Sequence, residues 1–274
     1  METVRIPGSP ELACDVAGAG PPVVFLHGIG GNRTNWTRQI QALEHDFTAM
    51  AWDARGYGES DDVDGERRFV HFAGDLARLL DDRSIETAHL VGLSMGARIL
   101  LTFMPRHAER VATLTLCDCF YGFNAMSDEK RTEFMALREK PLREGKTFAD
   151  LAPALVESLV SPNCPPEIAA ELHESILGLR AESYLKTLEA TTVFDAFAAL
   201  EEIEVPVQLI FGEHDRLSPP SIGEEMVGLI ADARLAVLEG AGHLSNLERP
   251  AEFNAALRAF LNPRADLARY REMS

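Results

Sequence analysis

Ser94 is the residue whose setting points most clearly to chemistry. It is the centre of a Gly-Leu-Ser-Met-Gly pattern at residues 92–96, between an apolar run (Ala88–Val91) and a helical pattern that starts at Met95. Glycines on both sides of a serine allow a sharp strand-to-helix turn that leaves the hydroxyl exposed above a sheet. Because the amino end of a helix carries a positive potential, it stabilises negative charge that develops beside that hydroxyl. The pattern therefore predicts that Ser94 is a nucleophile.

A histidine is the second requirement, because a serine hydroxyl is a weak nucleophile until a base removes its proton. His243 follows the last predicted strand in a Gly-Ala-Gly-His sequence at residues 240–243, on a loop before the final helix. A glycine-rich loop can place an imidazole over a pocket without adding bulk of its own. The spacing predicts that His243 is the base.

A carboxylate must then hold the tautomer of the histidine and stabilise its charged form. Asp215 follows the penultimate predicted strand, and the chain from there to His243 has room for one helix and one strand. That path returns to the same sheet edge, so we expect Asp215 to be the acid. Asp118, at the carboxyl end of Val111–Cys117, is the alternative because it lies over the same strand ends.

Two hydrogen-bond donors are needed for the oxyanion of an acyl-transfer intermediate. The amide of Met95, directly after the serine, is one candidate. The amide of Ile29, in the His-Gly-Ile-Gly-Gly loop at residues 27–31, is the other. Gly28 keeps the backbone of this loop open, and His27 is interpreted as a structural residue that orients the loop.

Short apolar runs alternate with longer segments of helical period, which is typical of a parallel sheet with crossover helices. The predicted strands are Val4–Ile6, Leu12–Asp15, Pro22–Leu26, Phe47–Trp52, Ala88–Val91, Val111–Cys117, Val207–Phe211 and Leu235–Leu238. The predicted helices are Asn35–Leu43, Val70–Arg83, Met95–His107, Pro220–Ile230 and Ala251–Leu261. We expect an α/β fold with a mostly parallel eight-stranded sheet flanked by helices.

The interval from residue 120 to residue 204 breaks this alternation, because it has no convincing strand and is too long for one crossover. Helical patterns begin at Ser127, cover Phe148–Val160, begin again at Pro165, and cover Tyr184–Leu200. The sequence predicts a helical lid over residues 120–204, inserted into a core formed by residues 1–119 and 205–274. Candidate substrate-binding residues lie in the lid and near the serine: Gly28, Trp36, Phe120, Tyr121, Phe123, Met126 and Phe194.

Composition limits the class of partner. The formal net charge of -17 opposes binding to nucleic acid and weakens the case for anionic membrane surfaces. The first ten residues lack the basic and apolar regions of a signal peptide, and no apolar stretch is long enough to span a membrane. We expect a cytoplasmic monomer or homodimer that acts on a small molecule.

Together these motifs resemble the α/β-hydrolase superfamily over nearly the whole chain. Residues 53–60 (Asp-Ala-Arg-Gly-Tyr-Gly-Glu-Ser) match the family's structural turn after the fourth strand, and residues 242–250 match its run from the catalytic histidine into the last helix. Within the superfamily the chain is most similar to small bacterial serine esterases, 3-oxoadipate enol-lactone hydrolases and cofactor-free haloperoxidase relatives. That resemblance implies water as the acyl acceptor, no cofactor and no metal. Ala97 and Arg98 depart from it, because many relatives carry a second glycine there.

The expected reaction is therefore hydrolysis of a small carboxylic ester or lactone through an acyl-enzyme on Ser94. Haloalkane dehalogenases and epoxide hydrolases of this superfamily attack with an aspartate, so a serine indicates acyl transfer. A second hypothesis is a carbon–carbon hydrolase of ring-fission dienoates, whose substrates need a carboxylate anchor such as Asn32, Arg33 or Arg98. A third is a ligand receptor built on the same fold, which the complete Ser-Asp-His set disfavours.

Overall fold

The computed structural model describes residues 1–122 and 127–271, apart from the side chain of Lys130. Within these residues one sheet contains the strands β1 (Glu2–Ile6), β2 (Leu12–Ala17), β3 (Pro22–Leu26), β4 (Thr48–Trp52), β5 (Ile85–Leu93), β6 (Val111–Cys117), β7 (Val207–Gly212), β8 (Ala233–Leu238) and β9 (Arg269–Tyr270). Their order is β1-β2-β4-β3-β5-β6-β7-β8, with β9 paired to β5. Strands β3 to β8 pair in parallel, whereas β2 and β9 run antiparallel to the strands they contact. The predicted α/β architecture with a mostly parallel sheet is confirmed.

The helices in the same part of the chain are α1 (Thr37–Leu43), α2 (Phe69–Asp82), α3 (Met95–His107), α4 (Asp128–Arg143), α5 (Phe148–Leu159), α6 (Pro166–Leu177), α7 (Ala181–Thr192), α8 (Phe197–Leu200), α9 (Pro220–Leu229), α10 (Ser245–Glu248) and α11 (Pro250–Leu261). The five helices predicted outside the lid are confirmed with bounds that differ by at most two residues. No helix among the described residues is both long and apolar enough to cross a membrane.

The central strands are buried on both faces, which explains their nearly continuous apolar sequences. Side chains alternate between the two faces of a strand. In β3, Val24 and Leu26 join a cluster that includes side chains of α2 and α3. Val23 and Phe25 join a second cluster that includes side chains of α1 and α11. The helices packed on both faces of the sheet hold the carboxyl ends of the parallel strands at one edge, where the candidate reactive residues lie.

The pairing of β9 with the beginning of β5 was not predicted. Tyr270 pairs with Ile85, and Arg269 pairs with Thr87. A two-residue strand has no periodicity to detect, and its partner extends β5 by three residues before the predicted start at Ala88. The eight-stranded prediction therefore lacks one short antiparallel strand.

The segment between β6 and β7 contains α4 to α8, and we call α4 to α7 the helical insert. Phe148, Leu172, Tyr184 and other apolar side chains of the insert form their own cluster, which reaches the core domain at Ile29 and Leu244. The insert is helical as predicted, which is the geometry required of a lid. Its identity as a separate subdomain stays a proposal.

The prediction of one continuous helix over Tyr184–Leu200 was wrong. Helix α7 ends at Thr192, and α8 begins only at Phe197. Between them the chain returns beside the segment that follows β6, where Asp195 pairs with Gly122 and the Ala196 amide donates to the Tyr121 carbonyl at 2.7 Å. Tertiary pairing and a β-branched run at residues 191–193 therefore outweigh helical propensity.

Candidate active site

The turn between β5 and α3 exposes Ser94 in a strained backbone conformation. Its φ and ψ angles are 53° and -107°, and its amide donates to the Cys117 carbonyl at 2.9 Å. A Cβ atom on Gly96 would overlap the Leu26 carbonyl, and one on Gly92 would lie 2.5 Å from the backbone of Gly96. A left-handed backbone at a serine has an energetic cost, and such strain is concentrated at functional sites. The two glycines are therefore required for the turn that exposes the hydroxyl.

Ser94, His243 and Asp215 are joined by hydrogen bonds in one buried series. The Ser94 Oγ lies 3.0 Å from His243 Nε2, and His243 Nδ1 lies 2.8 Å from Asp215 Oδ2. The other oxygen of Asp215 accepts from the amides of Leu217 at 2.8 Å and Ser218 at 3.0 Å. With Nδ1 donating to the carboxylate, Nε2 is left free to accept the serine proton.

Burial disfavours the charged form of His243, but the adjacent Asp215 carboxylate outweighs burial and raises the pKa of the imidazole above 6.5. A base with a raised pKa takes a proton more readily at neutral pH and returns it to a leaving group afterwards. This is the property that general acid–base catalysis requires.

Because only the neutral imidazole accepts the serine proton, hydrolysis should fall as the pH drops through the raised pKa of His243. We expect the acid limb of the kcat/KM profile to have its midpoint above 6.5, the ordinary histidine value. The measurement is initial rate from pH 5 to 9 with a neutral ester and subsaturating substrate. A midpoint near 5 would contradict the assignment of His243 as a base stabilised by Asp215.

Asp118, the alternative acid, has different partners. Its Oδ1 accepts from the Gly212 amide at 2.8 Å, and its Oδ2 accepts from the Ser245 hydroxyl at 2.5 Å and the Ser245 amide at 3.3 Å. Complete burial, with the neighbouring Asp215 charge as a further cause, raises the pKa of Asp118 to about 8. Asp118 therefore ties the end of β7 to the start of α10, while Asp215 is the carboxylate bonded to His243.

The loop after β3 is held open by His27. Its Nδ1 donates to the Gly28 carbonyl at 2.7 Å, and its Nε2 accepts from the Ala54 amide at 3.0 Å. Burial lowers the pKa of His27, which keeps the ring neutral as this pair of hydrogen bonds requires. Neither the Ile29 amide nor the Met95 amide donates to another residue in the described ranges. Both predicted oxyanion donors are thus left available for a ligand.

Two of the proposed carboxylate anchors are already engaged. Arg33 forms ion pairs with Asp15 at 3.0 Å, Asp53 at 2.5 Å and Glu59 at 2.6 Å. The Asn32 side chain caps the short helical turn at Arg33–Trp36 and donates to Ser175 Oγ at 3.0 Å. These contacts exclude both side chains as anchors in this conformation, which leaves Arg98.

A cavity of about 540 Å³ opens beside Ser94 and His243 between the core and the helical insert. Of the predicted binding residues, Gly28, Trp36 and Phe120 line it. Tyr121 instead packs on Phe197 and donates to Glu225, and Phe194 packs on Phe69, so neither contributes to the described lining. Phe123 and Met126 lie outside the described residues.

The insert contributes lining residues that the sequence analysis missed. Among them are Tyr184, Leu188 and Thr191, which recur every three or four residues along one face of α7. This spacing was detectable in the sequence, but a helical stripe alone does not distinguish a side that faces a cavity from a side that faces a protein core.

Glu248 is a further residue missed by sequence analysis, and it joins the insert to the histidine loop. It is buried, and its two oxygens accept from the Gly242 amide and the Ser161 amide, each at 2.9 Å. Beside this contact, the His243 amide donates to the Leu159 carbonyl at the end of α5 at 2.8 Å. The loop that carries His243 is therefore held by the insert as well as by the sheet.

Replacing Glu248 with glutamine should destabilise this connection, because an amide has one acceptor oxygen for two backbone donors. We expect a loss of about 1–3 kcal/mol in the free energy of unfolding. The measurement is equilibrium denaturation, with Glu252→Gln, an exposed position in α11, as the matched control. Equal stability of the two variants would contradict the role assigned to Glu248.

Comparison with known proteins gives matches over most of the chain. Residues 21–250 match the family model described as alpha/beta hydrolase fold. A proposed carbamate hydrolase from Azorhizobium caulinodans is 29% identical over 92% of this chain and 96% of its own length. The 3-oxoadipate enol-lactonase 2 of Acinetobacter baylyi is 27% identical over 88% of each chain. A malate-bound thermophilic esterase from Thermogutta terrifontis is 28% identical, with a TM-score of 0.88 over 97% of this chain and 100% of that one. The chain belongs to the alpha/beta hydrolase family.

Proposed function

We propose that this protein is a serine hydrolase that cleaves small carboxylic esters or lactones through an acyl-enzyme on Ser94. The proposal rests mainly on two consecutive hydrogen bonds. One joins Ser94 Oγ to His243 Nε2 at 3.0 Å, and the other joins His243 Nδ1 to Asp215 Oδ2 at 2.8 Å. The esterase and enol-lactonase relatives support the same type of bond.

The reaction proceeds in two acyl transfers. His243 takes the Ser94 proton while Oγ attacks the carbonyl carbon, and the Ile29 and Met95 amides stabilise the oxyanion. The intermediate collapses as His243 protonates the departing alkoxide, which leaves an ester on Ser94. Water, deprotonated by His243, then attacks this ester, and the carboxylic acid departs as the proton returns to Oγ. Asp215 stays ionised and stabilises the imidazolium in both steps.

A short substrate panel tests the proposal. We expect turnover of p-nitrophenyl acetate and butyrate well above the buffer rate, and turnover of at least one lactone in a pH-stat assay. An aryl carbamate and a dienoate ring-fission product test the carbamate and carbon–carbon alternatives. Turnover of the dienoate alone would replace the proposed bond with a carbon–carbon bond, and buffer-level rates with every substrate would refute the proposal.

A further inference from the structure

The charge of the cavity differs from the charge of the whole chain. The formal net charge is -17, yet the described lining contains two arginines, Arg98 and Arg138, and no aspartate or glutamate. Since charges of one sign on the wall of a cleft focus their field into it, the two arginines favour an anion in this cavity.

Arg98 lies one helical turn after the nucleophile. Its amide donates to the Ser94 carbonyl at 3.2 Å, so both side chains project from the same face at the start of α3. The residue is 5% exposed, and its guanidinium carbon lies 4.0 Å from the centre of the Phe120 ring. Nη1 makes a long contact of 3.4 Å with Thr191 Oγ1, while the buried Nε has no hydrogen-bond partner among the described residues.

This arrangement contrasts with those of Arg33, Arg55 and Arg67, whose side chains are at most 14% exposed. Arg33 bonds three carboxylates, Arg55 bonds Asp75 at 2.6 Å, and Arg67 pairs with Asp62. Arg98 has no carboxylate within ion-pair distance in residues 1–122 and 127–271. A buried cation without a counter-ion is strongly unfavourable, and an anionic ligand bound beside Ser94 would supply one.

The guanidinium stays protonated despite its environment, because burial lowers the pKa of Arg98 only to about 10. The aromatic ring of Phe120 covers one face of the group. Arg98 also lines the cavity beside Ser94. A guanidinium can bind a carboxylate through two parallel hydrogen bonds. Arg138, held over the Phe134 ring at 3.7 Å, adds positive potential from α4.

We propose that Arg98 is the anion subsite of this enzyme, so that the ester or lactone it cleaves carries a free carboxylate on its acyl portion. This inference rests on the proposed function for the scissile bond, but the subsite is defined by Arg98 alone. The Ser94 hydroxyl and the guanidinium would then hold the two ends of a short dicarboxylic acid derivative.

Kinetics with an isosteric pair of substrates test the subsite. Methyl hydrogen glutarate carries a carboxylate where methyl glutaramate carries a neutral amide. We expect the wild type to favour the anionic ester in kcat/KM by about 10- to 100-fold, the range of a charged hydrogen bond. Arg98→Met should bring the ratio close to one, while Arg106→Met, which removes an exposed charge from the same helix, should leave it unchanged. A ratio near one in the wild type, or an unchanged ratio in Arg98→Met, would overturn the proposal.

A binding measurement separates this inference from the proposed function. Glutarate is titrated into the Ser94→Ala protein and into the Ser94→Ala, Arg98→Met double variant, with heat of binding as the readout. Saturable binding lost with Arg98 supports the subsite even if no ester is turned over, and equal binding by both proteins overturns it. Thermal unfolding adds a check, since a methionine in place of an unpaired buried cation should maintain or raise Tm. A large fall in Tm would instead indicate that Arg98 is needed for folding, and would overturn the subsite.

Discussion

Replacing Ser94 with alanine is expected to lower kcat for p-nitrophenyl butyrate by about 10⁶-fold. The hydroxyl oxygen lies 3.0 Å from His243 Nε2, and its loss removes the covalent route. Residual rate should come from the oxyanion donors and from substrate binding, so KM should change much less than kcat. The measurement is steady-state hydrolysis at high enzyme concentration, because the remaining rate will be small.

Ser221→Ala provides the matched control, since Ser221 is exposed on α9 and is not among the described residues that line the cavity. It should retain the wild-type kcat, and both variants should unfold cooperatively. A Ser94→Ala protein that keeps more than about one hundredth of the wild-type kcat would show that another group performs the attack.

Replacing Asp215 with asparagine is expected to reduce kcat by about 10⁴-fold. An asparagine keeps the shape, but its amide group would favour a histidine tautomer with the proton on Nε2, which cannot accept from Ser94. The loss of the carboxylate also removes the charge that raises the pKa of His243. The acid limb of the pH profile should therefore shift to lower pH in this variant, and that shift would distinguish loss of the acid from general damage.

Asp118→Asn is the comparison that decides between the two carboxylates. Asp118 accepts from Gly212 and Ser245 rather than from His243, so an asparagine at this position leaves the contact between His243 and Asp215 in place. We expect a loss of less than about tenfold. If Asp118→Asn loses several orders of magnitude while Asp215→Asn remains active, Asp118 is the acid.

The Ser94, His243 and Asp215 arrangement could be predicted from the sequence because each residue follows a recognisable strand. The carboxyl ends of parallel strands meet at one edge of the sheet, so residues that follow different strands in the sequence lie close together in the fold. The hydrogen-bond partners of Asp118 and Asp215 could not be predicted in this way. They depend on the amides of Gly212, Leu217 and Ser218, whose directions are set by loop geometry.

The difference between Arg33 and Arg98 also required the structure. Both were candidate anchors, Arg33 because it follows the loop at residues 27–31 and Arg98 because it follows Ser94 by four residues. The carboxylates that neutralise Arg33 come from β2 and from the turn after β4, far from it in sequence. Arg98 has no carboxylate within ion-pair distance among the described residues. The sequence could not show this, because it depends on how distant segments pack around α3.

The insert shows the same limit for secondary structure. Its helices were predictable from periodicity, whereas the end of α7 at Thr192 depends on pairing between Asp195 and Gly122. Likewise, β9 exists because Arg269 and Tyr270 pair with the beginning of β5, at Thr87 and Ile85. Local sequence preferences cannot indicate contacts between residues so distant along the chain.

Labelling with diethyl p-nitrophenyl phosphate tests most directly whether Ser94 is the activated nucleophile. The reagent phosphorylates a serine that an adjacent histidine has activated, and it releases one p-nitrophenolate for each site. We predict one equivalent of p-nitrophenolate per chain, one phosphoryl group located on Ser94 by peptide mass spectrometry, and a parallel loss of ester hydrolysis. Modification of another residue, or full activity after complete labelling of Ser94, would contradict the proposed acyl-enzyme.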